Sequence, residues 1–199
     1  MDIRQLLRWG GVVAGAVLIA FGIVVIVLAL NGHSTVTKEL KSQQITGTPD
    51  MTPETIKAEG EKAGLKNVTY PTCSVAGELV DTGAEARCFA QYMNIHALLA
   101  TGGLVYSQMP RYASADGKGT NDPNQATKGP TGQPLDNPAR QIWITETALS
   151  TALNTSYMAT QLSLFSLVVG IALLLAGIGF VGLALGVVGR RPGGGEAAA

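Results

Sequence analysis

Leu162–Gly189, LSLFSLVVGIALLLAGIGFVGLALGVVG, limits what this chain can fold into more than any other stretch. It has 28 residues and no charged side chain, and Arg190–Arg191 follow at once. About 20 apolar residues carry a helix across the roughly 30 Å hydrocarbon layer of a bilayer, so the run predicts a transmembrane helix. A second apolar run, Trp9–Leu30, lies near the other end. The expected architecture is mainly α, with membrane helices over 9–31 and 162–189. Between them, 32–161 is expected to form an exported, mostly helical domain held against one membrane face.

Charge orients this hairpin. The formal net charge of zero hides a division: 32–161 carries 10 Lys/Arg against 12 Asp/Glu, whereas the ends hold Arg4, Arg8, Arg190 and Arg191 against Asp2 and Glu196. Arginines flanking both runs place the tails, 1–8 and 190–199, in the cytoplasm under the positive-inside rule. Lys38 and Lys41 oppose this weakly, while no basic residue lies between Gln141 and Gln161. A loop this long crosses a membrane largely regardless of its own charge. The first run is 22 residues long and exits through Leu28-Ala29-Leu30-Asn31-Gly32, longer than a signal h-region and without a small-residue cleavage site. It predicts an uncleaved anchor. No basic patch suggests nucleic acid.

Gly11 and Gly15, and again Gly182 and Gly186, are spaced as GxxxG, and Ser166–Gly170 is a comparable pair. That spacing puts small residues on one helix face, where another backbone can approach. These faces are candidates for packing the anchors together or against a partner.

Between the runs, Asn31-Gly32 weakens the first helix, although Ser34–Gln44 can continue it until Gly47-Thr48-Pro49. A short surface helix is expected over 53–63, with Thr52 as its cap, Pro53 at its first position and Gly64 at its end. Its mixed charges, Glu54, Lys57, Glu59, Glu61 and Lys62, read as a solvated face. Asn67–Ser74 is strand-like, but Pro71 confines it to an edge or an extended loop. Ala84–Tyr106 is the expected core helix. Cys88, Tyr92, Ile95, Leu99 and Tyr106 lie along one stripe, and Leu98 and Val105 interrupt the opposite polar side. Gly102-Gly103 predicts a kink or break.

Residues 111–138 form a long polar loop, ordered only if it lies against something. Asn137-Pro138 then starts a helix, and no proline follows until after Arg191. One continuous helix of about 50 residues, roughly 75 Å long, is expected. The second anchor would thus extend outside the membrane as a stalk, with Ile142, Leu149, Leu153 and Tyr157 on its apolar face.

The order ARCFAQYMNIHALLATGGLVYSQMPRY, then GTNDPNQATKGPTGQPL, then WITETALSTALNTSYMATQLSLF resembles a group of two-pass membrane proteins of actinobacterial type. The similarity covers about half the chain, from Ala86 to the second anchor. It implies a lineage and a cell envelope, and carries neither an activity nor site residues. Similar sequences are sometimes labelled aromatic-ring-opening dioxygenases. A non-haem iron site of that kind needs two histidines and a carboxylate converging. Here the only histidines are His33, at the membrane edge, and His96, expected at the edge of the core.

Cys73 and Cys88 are the only cysteines, and both lie in the segment expected outside the cytoplasm. Such pairs oxidise there, and a structural disulfide is expected. CxxC spacing is absent, as are GxSxG and EF-hand patterns. The apolar runs contain no ionisable residue, which argues against a proton relay or transport pathway. The sequence therefore predicts a non-enzymatic envelope protein with no cofactor or metal. Its exported domain would dock on a protein partner or a second copy through Phe89, Met93 and Leu98 or the glycine faces. The alternative is an extracytoplasmic module binding a small ligand or peptide. Convergent polar groups between the Ala84–Tyr106 helix and the stalk would favour that alternative.

Overall fold

The computed structural model describes residues 3–186. Among them are four α-helices and no β-strand: α1 (Ile3–Ser42), α2 (Pro53–Lys62), α3 (Gly83–Ala100) and α4 (Pro138–Gly186), with a 3₁₀ turn at Tyr106–Gln108. The 190–199 tail with Arg190 and Arg191, the last three residues of the expected 162–189 span, and Met1-Asp2 lie outside the described residues.

Both long helices are unbroken. α1 runs 40 residues, past Asn31-Gly32, and α4 runs 49. Asn137 starts α4 by accepting the Ala139 N–H at 3.1 Å, while Pro138 occupies a first-turn position where a missing N–H costs nothing. Both helices are long and apolar enough to cross a membrane, and only 17% and 11% of their most apolar windows is buried. The core helix of a soluble protein would be mostly buried, so that explanation fails here.

The chain divides into two compact units: Val36–Ala159, and the flanking stretches that end at Thr35 and begin at Thr160. In the flanking unit α1 and α4 run antiparallel, backbone against backbone. A Cβ added at Gly15 would lie 2.6 Å from the Gly177 carbonyl oxygen, one at Gly22 2.8 Å from that of Gly170, and one at Gly11 2.9 Å from the Ala184 Cβ. Gly15, Gly22 and Ala29 are buried, as are Gly170, Gly177 and Ala184, and each series repeats every seven residues. A seven-residue repeat holds one stripe of a 3.6-residue helix toward its neighbour with slight supercoiling, and small residues permit the close approach. Gly11 and Gly15 thus face α4. Gly182 and Gly186 do not face α1: nothing lies within 4 Å of a Cβ at either. On the remaining surface Phe21, Leu28, Phe165 and Val168 are each more than 60% exposed, the kind of surface that a bilayer covers.

The Val36–Ala159 unit is built around α3. Thr82 and Glu85 cap its start reciprocally: the Glu85 N–H donates to Thr82 Oγ1 at 3.3 Å and the Thr82 N–H to Glu85 Oε2 at 2.9 Å. Its end comes at Ala100, before Gly102 (φ +64°) and Gly103 (φ +82°), where left-handed backbone suits glycine. The expected Ala84–Tyr106 helix is therefore too long, and Tyr106 leaves the stripe to lie under the Arg140 guanidinium, 4.1 Å above its ring. α3 is buried on both sides. Tyr92, Ile95, Cys88 and Leu98 join a cluster with Ile56, Val75 and Trp143. Ala86 and Ala90 join a second with Leu40, Val80 and Leu153.

The inward face of α4 agrees with the expected one at Leu153 and differs from it at Ile142 and Leu149. Trp143, Glu146 and Leu153 are buried, whereas Ile142 and Leu149 are 38% and 42% exposed. The helix is turned so that Trp143 Nε1 donates to the Leu104 carbonyl at 2.8 Å. Leu40 at the end of α1 is only 5% exposed, so that extension supplies more of the core than its two apolar residues suggest.

Cys73 and Cys88 form a disulfide with Cα atoms 6.1 Å apart. Closing a loop of 15 residues stabilises a fold by about 3 kcal/mol in the chain-entropy model. One turn along α3, Tyr92 Oη donates to the Cys73 carbonyl at 2.6 Å, so the 67–74 segment is fastened twice. Burial, with Glu54 nearby, pushes the Tyr92 phenol pKa up and keeps it a donor.

The 111–138 loop is ordered by its own backbone. Tyr112 and Thr120 exchange two hydrogen bonds of 2.9 Å, and the Ala113 and Thr127 N–H groups donate to Leu135 and Ala113. Asp116 folds one tip: the Ser114 hydroxyl and then the Lys118 N–H hold its carboxyl below the usual carboxylate value.

Candidate functional site

Three features of the Val36–Ala159 unit bring polar or apolar groups together. The first is a polar cleft of about 440 Å³ between α3 and α4. Arg87, Gln91 and Asn94 enter it from α3, and Glu146, Ser150 and Asn154 from α4. The spacing explains the set, since i, i+4 and i, i+3 positions share a helix face. Glu146 is 5% exposed. Its carboxylate accepts from Ser150 Oγ at 2.8 Å and from Asn94 Nδ2 at 3.4 Å, both neutral donors. Arg87 instead stacks 4.7 Å over the Tyr157 ring.

The second feature is a groove of about 460 Å³ on the other side of Glu146. Met93, Ala97, Ala100 and Ile142 make it apolar, with His96 and Gln141 at its rim. Elsewhere on α4, Leu149 and Ile144 are also 42% and 47% exposed, Leu149 on the side of Ile142 and Ile144 on the opposite side of the helix.

The third is a cluster of Asp50, Glu59 and His96, whose ligand atoms all lie within 4.8 Å of one another. Asp50 stands in the turn after Gly47-Thr48-Pro49, where the Met51 N–H donates to the Thr48 carbonyl at 3.0 Å. Glu59 is on α2, next to Gly60, whose lack of a side chain lets Tyr70 pack closely: a Cβ there would lie 2.2 Å from Tyr70 Oη. His96 follows the buried Ile95 on α3. Its Nε2 lies 2.8 Å from Asp50 Oδ2. The Thr48 hydroxyl is the largest influence on Asp50 and holds its carboxyl below the usual value; partial burial opposes it, and His96 adds a smaller lowering.

Of the interaction candidates, Met93 lines the apolar groove. Leu98 is 9% exposed within the core, and Phe89 is half-buried against both clusters, because α3 is surrounded. Cys73 and Cys88 are bonded to each other, so neither offers a thiol. Sequence reasoning missed Glu146, an acidic residue on a helix face that a hydropathy pattern assigns to solvent. It also missed the Asp50–Glu59–His96 convergence, which no local spacing announces. No family model, curated protein or solved structure matches the chain.

Proposed function

We propose that this is a two-pass integral protein of the cell membrane with both termini cytoplasmic. Its 32–161 segment stands outside the cytoplasm as a non-enzymatic interaction module, in a complex with a protein partner or with further copies of itself. The observation that carries this reading is uncovered apolar surface on α4: Ile142, exposed in a concave apolar groove with Met93 and Ala97, and Leu149, exposed two turns further along the same helix face. Water-exposed apolar patches rimmed by polar groups are typical of docking sites. The disulfide supports the extracytoplasmic side, since such bonds persist in oxidising compartments.

The polar cleft favours a second reading, a module for a small ligand carrying charge and hydrogen-bonding groups. Buried Glu146 beside Asn94, Gln91 and Arg87 is the arrangement that fixes such a ligand's orientation.

Two measurements test the proposal. A cysteine replacing Ser114, with the native disulfide retained, should react with a membrane-impermeant thiol reagent on intact cells. Labelling only after lysis would reject the topology. Ile142→Ser with Leu149→Ser should leave the protein folded yet running smaller on native detergent gels, with crosslinked species lost. Wild type running as a monomer, with nothing captured in cells, would overturn the interaction reading in favour of the ligand cleft.

A further inference from the structure

We propose that Asp50, Glu59 and His96 form a divalent-cation site of zinc type that ties the Asp50 turn and α2 to α3. The donor set is the first reason. One imidazole nitrogen and two carboxylate oxygens are ligands that zinc accepts at about 2.0–2.2 Å. Calcium and magnesium take oxygen ligands, so the imidazole selects against them. Two histidines with one carboxylate would instead suit non-haem iron, and this cluster has the reverse ratio.

Geometry is the second. Ligands about 2 Å from a tetrahedral ion lie roughly 3.3 Å from each other. Here His96 Nε2 and Asp50 Oδ2 are 2.8 Å apart and every pair is within 4.8 Å. Glu59 is exposed on α2, so its side chain is free to rotate inward, while Asp50 and His96 must part by about half an ångström to admit the ion. Three protein ligands leave a fourth position for water.

The surroundings of His96 are the third. Its Nε2 is shielded from solvent, and Asp50 Oδ2 is 2.8 Å away. A cation in the ring plane would use the Nε2 lone pair and offset the two neighbouring carboxylates. The Thr48 hydroxyl, hydrogen-bonded to Asp50, would orient that ligand as outer-shell donors do in metal sites. The competing account is a His96–Asp50 ion pair with Glu59 nearby by chance, and it predicts no metal affinity. The proposal is independent of which side of the membrane the unit occupies.

The test uses full-length protein in detergent, freed of metal with a chelator. Calorimetric titration with Zn²⁺ should show one equivalent bound, and Tm should rise with Zn²⁺ and saturate. Co²⁺ should give the intense visible absorption of a tetrahedral site. Glu59→Gln and His96→Ala should each weaken Zn²⁺ binding at least about a hundredfold, and Thr48→Val about tenfold. Asp116→Asn, in the 111–138 loop, should leave it unchanged. Absence of saturable Zn²⁺ binding, preference for Ca²⁺ or Mg²⁺, or binding indifferent to Glu59→Gln would each overturn the proposal. Should His96→Ala fail to fold, the exposed Glu59 still decides.

Discussion

Leu153→Asp should unfold the Val36–Ala159 unit, and Leu149→Asp, one turn earlier on the same helix, should not. Leu153 is 4% exposed and packs with Leu40, Val80, Ala86 and Ala90, so the substitution removes a buried side chain and leaves an unpaired charge in its place. Lost packing costs about 2–5 kcal/mol, and an uncompensated buried charge adds several more unless it neutralises. The sum rivals the roughly 5–15 kcal/mol that hold a domain together. Leu149 is 42% exposed, and changes at such positions stay within about 0.5 kcal/mol. Limited proteolysis of the detergent-solubilised variants reads the difference. Rapid cleavage within 36–159 is expected for Leu153→Asp, and a wild-type pattern for Leu149→Asp. Equal sensitivity of the two would refute the rotation of α4 described above.

Cysteines replacing Gly11 and Ala184 should form a disulfide readily under mild oxidation, and adding Gly15→Leu should suppress it. A Cβ at Gly11 would lie 2.9 Å from the Ala184 Cβ, somewhat nearer than the roughly 3.5–4.5 Å of a disulfide, so a small adjustment brings the pair into bonding range. At Gly15 a Cβ would already meet the Gly177 oxygen at 2.6 Å and a Val181 methyl at 2.6 Å. A leucine there forces the helices apart along the whole stripe. Overpacking of this kind costs about 1–3 kcal/mol, and every 1.4 kcal/mol is a factor of ten in an equilibrium. The bonded fraction should therefore fall about tenfold, measured as the mobility shift on non-reducing gels. Gly182→Leu faces open space and should leave it unaffected.

Much of the architecture was legible in the amino-acid order because its causes are local. Apolar length announces a membrane-competent helix whatever surrounds it. The absence of proline after Pro138 keeps α4 continuous, and Asn137-Pro138 marks its start. Two cysteines and no third leave one pairing, and the bond is there. The glycine stripe was half legible: four-residue spacing singled out Gly11 and Gly15, but the contact follows a seven-residue repeat, Gly15 to Gly22 and Gly170 to Gly177. A seven-residue period is visible only when one knows that two nearly parallel helix axes must stay in register.

What only the tertiary structure decided is which way each helix faces and what meets across it. On α4 the apolar residues surround the axis, so hydropathy leaves its rotation free. Trp143 and Leu153 turn inward because Leu104 offers the indole an acceptor and Leu40 and Val80 offer the leucine a cover. α3 is enclosed on both sides, which buries Leu98 and half-buries Phe89. The convergence of Asp50, Glu59 and His96 needs a turn, α2 and α3 brought together across the chain. Side-chain types alone set that local chemistry, but their distances follow from packing between segments remote in sequence, and a one-dimensional pattern does not encode those distances.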